Sequence, residues 1–503
     1  MSQKTGLLLD VSGIQRYIFG TNRLKQIVGA SGNIRTVIAK NDEEDTFLDR
    51  LLNGKGDIIY SGGGNALLLF NSEEDAKDFS QRWSMKILED YPGIQPAVGL
   101  CTYEYNKDNF EEFLKVCREQ LRISKAINSA NLTLPRYGLT AECVYTGSSA
   151  QCYNNEIKTN HAGGNEYYSI IAKTKDNGYD AANDRFYKEY NQDFSENFED
   201  LAGTTGDNYR SGMAIVHIDG NDIGDMFSKL ITHDEFESSS KKVRRLFSDA
   251  MKFVINDIAE INNKYQKDLG LKKGVFPFRP IIVGGDDITY VCHASLGLWS
   301  AYSILKNLAK QQMGEDNPIT ACAGIAFTKP SYPFATGYAL AEELCEEAKK
   351  KRRKGGDKSR NISFLDFHIM KGGAFSDLET VREHGYQLAN KSLIGRPFGI
   401  EKGQEAFDWL VETGRGMVKG NENNKWPKNK IKELREVVYK GKSAIKAFYT
   451  HMKSQGKKIP KLESRDPREE LGIPTELDLC EFLDVYPKWL FEWNNIKNEE
   501  AGN

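Results

Sequence analysis

The sequence predicts an α+β chain with two copies of one strand–helix–hairpin–strand–helix module, a polar connector between them and a helical C-terminal domain. Three observations lead there. Residues 281–291 read Ile-Ile-Val-Gly-Gly-Asp-Asp-Ile-Thr-Tyr-Val, two β-branched runs around a tight turn. The order of elements around that hairpin recurs between residues 5 and 135. Residues 376–503 lack β-alternation and carry amphipathic stretches, such as Ile431, Leu434, Val438, Ile445 and Phe448.

The first module opens on an apolar strand, Gly6 to Leu9, that ends in Asp10 and turns through Ser12-Gly13 into a helix. A hairpin follows over residues 58–70, with Gly62, Gly63, Gly64 and Asn65 at its tip. Pro96 to Leu100 reads as a strand, and residues 110–127 as a helix in which Arg118 and Arg122 stand four apart, within reach of one phosphate. In the second module Met213 to Ile218 is a strand ending in Asp219, and Gly220 and Gly224 mark the turn into a helix. The Gly284-Gly285-Asp286-Asp287 hairpin comes next. Ile319 to Phe327 is a further strand, Ala339 to Lys354 a helix after Pro330 and Pro333, and Phe364 to Phe367 a closing strand. From Asp10 to Gly62 is 52 positions and from Asp219 to Gly284 is 65; from Asn65 to Gly99 is 34 and from Asp287 to Gly324 is 37. This agreement predicts an internal duplication with boundaries at 1–135 for the first module and 208–375 for the second.

The tips of the two hairpins differ in chemistry. Adjacent carboxylates at a buried tip repel unless they share a cation, and a hard divalent ion, Mg²⁺ or Mn²⁺, suits oxygen ligands and brings a phosphate with it. Gly and Asp are also ordinary turn residues, so Asp286 and Asp287 alone fit a solvated tip as well. Asp219 at a strand end beside them is what two-metal phosphoryl or nucleotidyl transfer requires. Lys349 and Arg353 share a helix face and suit a polyphosphate, although a basic helix end also simply complements the macrodipole. In the first module Gly64 and Asn65 replace the carboxylates, so that copy is expected to be catalytically silent, a scaffold that walls the pocket.

This order of motifs resembles the palm of Cas10, the large subunit of type III CRISPR effectors, and more distantly the GGDEF-type nucleotide cyclases. The resemblance covers residues 5–370. It implies two ferredoxin-like palm domains, the first degenerate. It implies that Asp219, the Gly220 backbone, Asp286 and Asp287 bind two metals. Gly284, Gly285, Asp222, Lys349 and Arg353 would then bind nucleotide, and Asp10, Gly62, Gly63, Gly64 and Asn65 would wall the pocket. The implied activity joins nucleoside triphosphates, ATP favoured, into cyclic oligonucleotides in antiviral defence. Two alternatives stay open: a large RNA-binding subunit of a guided effector that needs partner subunits, and a homodimeric dinucleotide cyclase. Asp219-Gly220-Asn221 departs from the Asp-Gly-Asp of many relatives, and Asp222 is the candidate substitute. No His-Asp motif with metal-ligand spacing precedes the first palm, so single-strand DNase activity is not implied.

Composition sets the remaining bounds. The 503 residues carry a formal net charge of -3, so any nucleic-acid contact must be local. Residues 425–461 supply such a patch, with twelve Lys or Arg against Glu433 and Glu436; it is either a phosphate-backbone contact or a solvated helix face. The eight cysteines form no disulfide-like framework, and Cys101, Cys292 and Cys322 read as small core residues. In the insert and connector, residues 136–207, zinc would find only Cys143, Cys152 and His161, which favours a metal-free insert. No signal pattern opens the chain and no run of about 18 apolar residues spans a membrane, so a cytoplasmic location is expected.

Overall fold

The computed structural model describes residues 4–39, 46–103, 110–128, 138–154, 166–203, 212–229, 232–311, 318–356, 359–372, 377–389, 391–400, 406–419, 425–457 and 476–502. The first module runs β1 (Lys4–Ser12), α1 (Ile14–Phe19), α2 (Leu24–Ile38), α3 (Phe47–Leu52), β2 (Gly56–Gly62), β3 (Asn65–Phe70), α4 (Glu73–Asp90), β4 (Gln95–Tyr103) and α5 (Phe110–Asn128). The connector holds β5 (Cys152–Asn154), β6 (Glu166–Tyr168), α6 (Ile170–Asn177), α7 (Tyr179–Tyr190) and α8 (Phe198–Ala202). The second module runs β7 (Met213–Gly220), α9 (Ile223–Phe227), α10 (His233–Leu269), β8 (Phe278–Gly284), β9 (Asp287–His293), α11 (Gly297–Ala309), β10 (Ala321–Thr328), α12 (Phe334–Lys354) and β11 (Phe364–Ile369). Beyond it lie α13 (Leu378–Gly385), β12 (Gln387–Leu388), β13 (Lys391–Ser392), β14 (Phe398–Gly399), α14 (Phe407–Lys419), α15 (Lys428–Val438), α16 (Lys442–Ser454), α17 (Glu476–Val485) and α18 (Lys488–Gly502).

The two modules have the same α+β, ferredoxin-like architecture. The first sheet has the order β2-β3-β1-β4, and the second contains β8-β9-β7-β10 extended by β11 and β14. Local chemistry sets the elements. Ser72 caps α4 by accepting from the Asp75 amide, and Thr232 and Glu235 form a capping box at the start of α10. Strand β10 is buried at every position, as a strand covered by helices on both faces must be. Close packing explains two glycines. A Cβ on Gly99 would lie 2.6 Å from the Cys117 carbonyl oxygen and the Leu121 amide of α5. One on Gly324 would lie 1.9 Å from the Ala341 oxygen and 2.5 Å from the Cys345 amide of α12. The equivalence of those contacts matches α5 to α12 residue by residue.

The modules pack reciprocally. Helix α2 lies against β8, where Ser31 Oγ donates to the Ile281 carbonyl at 2.6 Å, and α10 lies against β2, where Arg244 donates to the Ser61 carbonyl. Phe19 stacks against Phe334 and Tyr338 of α12, and Asn22 caps the start of α12 by accepting from the Phe334 amide at 2.9 Å.

Three expectations are corrected. Helix α12 begins at Phe334 rather than near Ala339, because Pro333 occupies its N-cap and fits the first turn. Cys101 and Cys117 are joined by a disulfide, with Cα atoms 5.4 Å apart, because α5 lies directly on β4; nothing in the cysteine spacing announces that contact. The C-terminal part is chiefly helical but not wholly so. β12 and β13 pair with each other, and β14 extends the second sheet by pairing with β11.

A buried ionic cluster docks the C-terminal helices on the second sheet. Arg396, 1% exposed at its side chain, lies 2.5 Å from Glu481 and 3.3 Å from Asp478 of α17; Lys371 reaches Glu481 at 2.7 Å, and Arg382 reaches Asp366 of β11 at 2.6 Å. Burial opposes the Glu481 charge, yet Arg396 and Lys371 outweigh it and hold the carboxyl at about 2. Burial pushes Asp478 up to about 7 in spite of Arg396 and the Gly395 amide. Removing one member of such a cluster leaves buried charge unpaired. Arg396→Met is expected to destabilise the chain by about 3–5 kcal/mol. Arg353→Ala, which breaks an exposed pair with Glu346, should cost less than about 1 kcal/mol. Urea unfolding of both variants measures the difference, and equal midpoints would refute the role given to Arg396.

Candidate active site

The second sheet places the acidic residues. Antiparallel register sets Asp219, near the end of β7, directly opposite Asp287, the first residue of β9. The Gly220 amide donates to the Asp286 carbonyl at 3.0 Å, and a Cβ on Gly220 would come within 2.8 Å of the Asp286 Cβ. Glycine at 220 therefore lets the Asp286 turn fold against the end of β7. Gly285 holds φ at +63°, and a Cβ on Gly284 or Gly285 would meet nothing within 4 Å, so the tip is open to an approaching ligand.

Electrostatics at this corner are unfavourable for free carboxylates. Burial raises the pKa of Asp286, with the Asp219 charge adding to it. Burial pushes Asp287 to about 6; Asp219, Asp286 and Glu342 add to the shift and His217 opposes it. Asp287 Oδ1 is buried without a hydrogen-bond partner. Lys349 Nζ lies 2.5 Å from Asp219 Oδ2; burial opposes the ammonium, but Asp219 outweighs it and raises the Lys349 pKa. Among the described residues no three His, Cys, Asp or Glu side chains close on one point as a metal site. Asp219 is turned to Lys349. The donor set nevertheless fits a hard divalent cation. An orphaned carboxylate oxygen and two neighbouring carboxyls held up by burial and repulsion are relieved by such an ion.

Other residues named from the sequence have different partners. Asp222, at φ +56°, pairs with Arg352, whose hydrogen bond holds the Asp222 carboxyl below the usual range. Asn221 is buried and donates to Thr320 Oγ1 at 3.1 Å. Arg353 turns outward to Glu346, whereas Arg352 is buried and reaches back toward the turn after β7. Arg352 escaped the sequence reading because spacing alone does not reveal which side of a basic run faces the sheet. Around the site the structure adds His217, Thr289, Tyr338 and Glu342, and from the first module Gln15, which donates to Tyr338 at 3.1 Å and to Glu342 at 2.7 Å.

The first module repeats half of this arrangement. Asp10 stands opposite Asn65, and Lys125 Nζ lies 2.7 Å from Asp10. Counted from the glycine contacts, Lys125 occupies on α5 the place of Lys349 on α12. Arg122, picked out by its spacing from Arg118, instead pairs with Glu119 in solvent. A cavity of about 710 Å³ opens beside Asp10, lined by Ser12, Gln15, Arg16, Gln95 and Lys125 among others.

Elsewhere, Cys143 is buried, Cys152 lies on β5 beside it in a small apolar cluster, and His161 falls outside the described residues. In the basic patch Lys432, Lys440, Lys442 and Lys446 are exposed on α15, α16 and the turn between them, while Arg435 turns inward to Asp484. Lys458 and Lys461 fall outside the described residues. No described helix is long and apolar enough to cross a membrane.

Comparison with known proteins bears on the fold and on the second module. Residues 212–357 match the family model of the Cas10/Cmr2 second palm domain. The fold is that of solved Csm1 structures. An apo Csm1–Csm4 cassette gives a TM-score of 0.56 at 12% identity, covering 97% of this chain and 70% of that one. A Csm1–Csm4 cassette in complex with cA4 gives 0.54 at 12% identity with the same coverages. Csm1 of T. onnurineus gives 0.54 at 14% identity, again covering 97% of this chain and 70% of that one. No curated protein matches the sequence. The chain thus carries a segment similar to the Cas10/Cmr2 second palm within a fold shared with Csm1.

The hairpin tips predict an asymmetric outcome. Gly64 holds φ at +82°, and a Cβ there would lie 2.1 Å from Ile14 Cδ1. Gly64→Asp is therefore expected to lower the melting temperature, whereas Asn65→Asp should be tolerated without creating a second cation site. Thermal unfolding and Mn²⁺ titration of each variant, the latter on an Asp286→Ala, Asp287→Ala background, check this. Tight Mn²⁺ binding by the Asn65→Asp protein would show that the first palm is a latent centre.

Proposed function

We propose that this Cas10-like chain is a nucleotidyltransferase that joins nucleoside triphosphates, ATP favoured, into cyclic oligonucleotides for CRISPR-type defence. The observation that carries the reading is the register that sets Asp219 opposite Asp287, with Asp286 at the adjoining turn and Lys349 against Asp219. Asp219, Asp286 and Asp287, with the Gly220 backbone, would hold two divalent cations, Mg²⁺ or Mn²⁺. When bound, such ions lower the pKa of an attacking ribose hydroxyl and take up charge on leaving pyrophosphate. Gly284 and Gly285 leave room for phosphates at the tip. Lys349, released from Asp219, supplies a phosphate-side cation, and Arg352 with Asp222 steadies the turn after β7. The cavity beside Asp10 would receive a second nucleotide, with Lys125 as its phosphate contact. ATP is favoured because related cassettes are solved with pppApA, AMPPNP and cA4.

One observation favours a second reading, an effector subunit that acts only with partners. Asp219 is held by Lys349, so the donor set must rearrange before it closes on a cation. The related chains are solved together with Csm4. The exposed lysines of α15 and α16 suit contact with RNA in such an assembly.

Incubation of purified protein with each labelled triphosphate and Mg²⁺ or Mn²⁺, followed by mass analysis, is expected to yield an adenylate oligomer. Asp286→Ala with Asp287→Ala should reduce product to background while leaving the circular dichroism spectrum intact. Turnover by that folded double variant would refute the site; absence of product from wild type until partner subunits are added would establish the second reading. Lys349→Ala should act mainly on KM, raising it by about tenfold or more, as loss of a charge-assisted phosphate contact does. Unchanged KM and kcat would leave Lys349 outside the site.

A further inference from the structure

The row of side chains beneath the acid pair differs between the modules in a way that packing does not explain. One step below Asp219 and Asp287 on the same sheet face, His217 stands opposite Thr289 and beside Gly324. One step below Asp10 and Asn65, Leu8 stands opposite Leu67 and beside Gly99. The glycine contacts carry the match to the covering helices. Cys117 and Leu121 of α5 correspond to Ala341 and Cys345 of α12, so Leu114 corresponds to Tyr338. Three leucines, 3%, 0% and 4% exposed at Leu8, Leu67 and Leu114, thus occupy in the silent module the places of His217, Thr289 and Tyr338, which are 6%, 0% and 3% exposed.

A buried polar row costs free energy relative to leucine unless something requires it. The first module shows that this fold is satisfied by leucine. What the second module has in addition is a carboxylate above the row. His217 Nδ1 lies 3.3 Å from Thr289 Oγ1 and 3.4 Å from Asp287 Oδ1, the oxygen that otherwise lacks a partner. The His217 ring meets Tyr338 edge to face, with centroids 5.6 Å apart, and the Tyr338 hydroxyl is held in turn by Gln15 of the first module. Thr289 and Tyr338 therefore fix the imidazole, and the imidazole faces one oxygen of Asp287.

We propose that His217, held by Thr289 and Tyr338, is a positioning residue that orients the Asp287 carboxylate for a divalent cation. The inference rests on the proposed chemistry of the site, and its test reads cation binding separately from turnover. Mn²⁺ is titrated calorimetrically into wild type, His217→Leu, His217→Asn and Asp287→Asn, and kcat and KM are measured wherever product forms. His217→Leu is expected to weaken the Asp287-dependent Mn²⁺ affinity by about 10- to 100-fold, as loss of a group that orients a metal ligand does. Where product forms, kcat falls and KM for the triphosphate changes little. His217→Asn, which keeps a donor near the place of Nδ1, should recover most of the affinity. If His217→Leu fails to fold, the His217→Leu, Thr289→Leu, Tyr338→Leu protein, which copies the row of the first module, replaces it. Wild-type affinity and kcat in the folded leucine variant would overturn the proposal. So would an asparagine variant no better than leucine, or failure of both leucine proteins to fold, since each would make the row a matter of packing. Asp287-dependent Mn²⁺ binding without any product would count against the proposed function and leave the positioning role to be decided by the affinities. Absence of such binding in wild type would overturn both.

Discussion

The structure depends on one register, the pairing that sets β7 against β9 with Asp219 opposite Asp287. In an antiparallel sheet a slip of one residue turns every side chain to the other face, which would bury Asp219 and Asp287 among the helices α10 and α11 and expose Ile218 and Ile288. The pairing also has to be held against repulsion. Two carboxylates about 4 Å apart cost on the order of 4 kcal/mol at the effective dielectric of a protein surface. Three features hold it. Apolar strands keep Ile215, Val216, Ile218, Ile288, Tyr290 and Val291 fully buried, the Gly220 amide ties the turn to the Asp286 carbonyl, and Gly324 locks the neighbouring strand beneath α12. Lys349 then supplies the nearest positive charge to Asp219. The strain is electrostatic and local, and it is the kind a cation relieves.

Much of this was legible in the chain. The two hairpins announce themselves because paired apolar runs around a glycine turn admit few other conformations, and the repeated order of motifs carries over to the shared strand order of the two sheets. Asp219, Asp286 and Asp287 stand out in the sequence because each sits next to a turn that the sequence marks. The residues that were missed share a different property: their meaning depends on which way a helix faces. Lys349, Arg352 and Arg353 lie on one basic run, and only packing of α12 on the sheet shows that Arg352 turns in and Arg353 turns out. Lys125 was passed over for Arg118 and Arg122 for the same reason, since i, i+4 spacing is satisfied on any face. The Cys101–Cys117 pairing was not legible, and Cys101 reads as a small core residue, because their contact is between a strand and a helix and leaves no motif.

Buried polar groups were the least legible. Arg396, Asp478, Glu481 and Asp366 look like ordinary surface charge in sequence, yet they form the closed cluster that seats α17 on the second sheet. His217 and Thr289 look like tolerated polar residues in an apolar strand. Their significance appears only when the two modules are laid side by side and leucines are found in the same places. The duplication thus serves as an internal control: both copies keep the glycines Gly99 and Gly324 and the pairs Asp10–Lys125 and Asp219–Lys349, whereas the polar row of His217 and Thr289 is present in the second copy alone.

The first module helps to position α12. Phe19 stacks on Phe334 and Tyr338, Asn22 caps the first turn of the helix, and Gln15 reaches Tyr338 and Glu342. Every one of these contacts falls on the N-terminal half of α12, while Lys349 and Arg352 project from its C-terminal half. A helix is stiff over that length, so a shift of its first turns against the sheet is carried to the Lys349 ammonium. The first module, without carboxylates at its own tip, thus touches the helix that faces Asp219 and Asp287. Reciprocally, α10 of the second module is seated on β2 of the first. The two copies are thus tied together at both α12 and α10, and α12 is also the helix that carries Lys349.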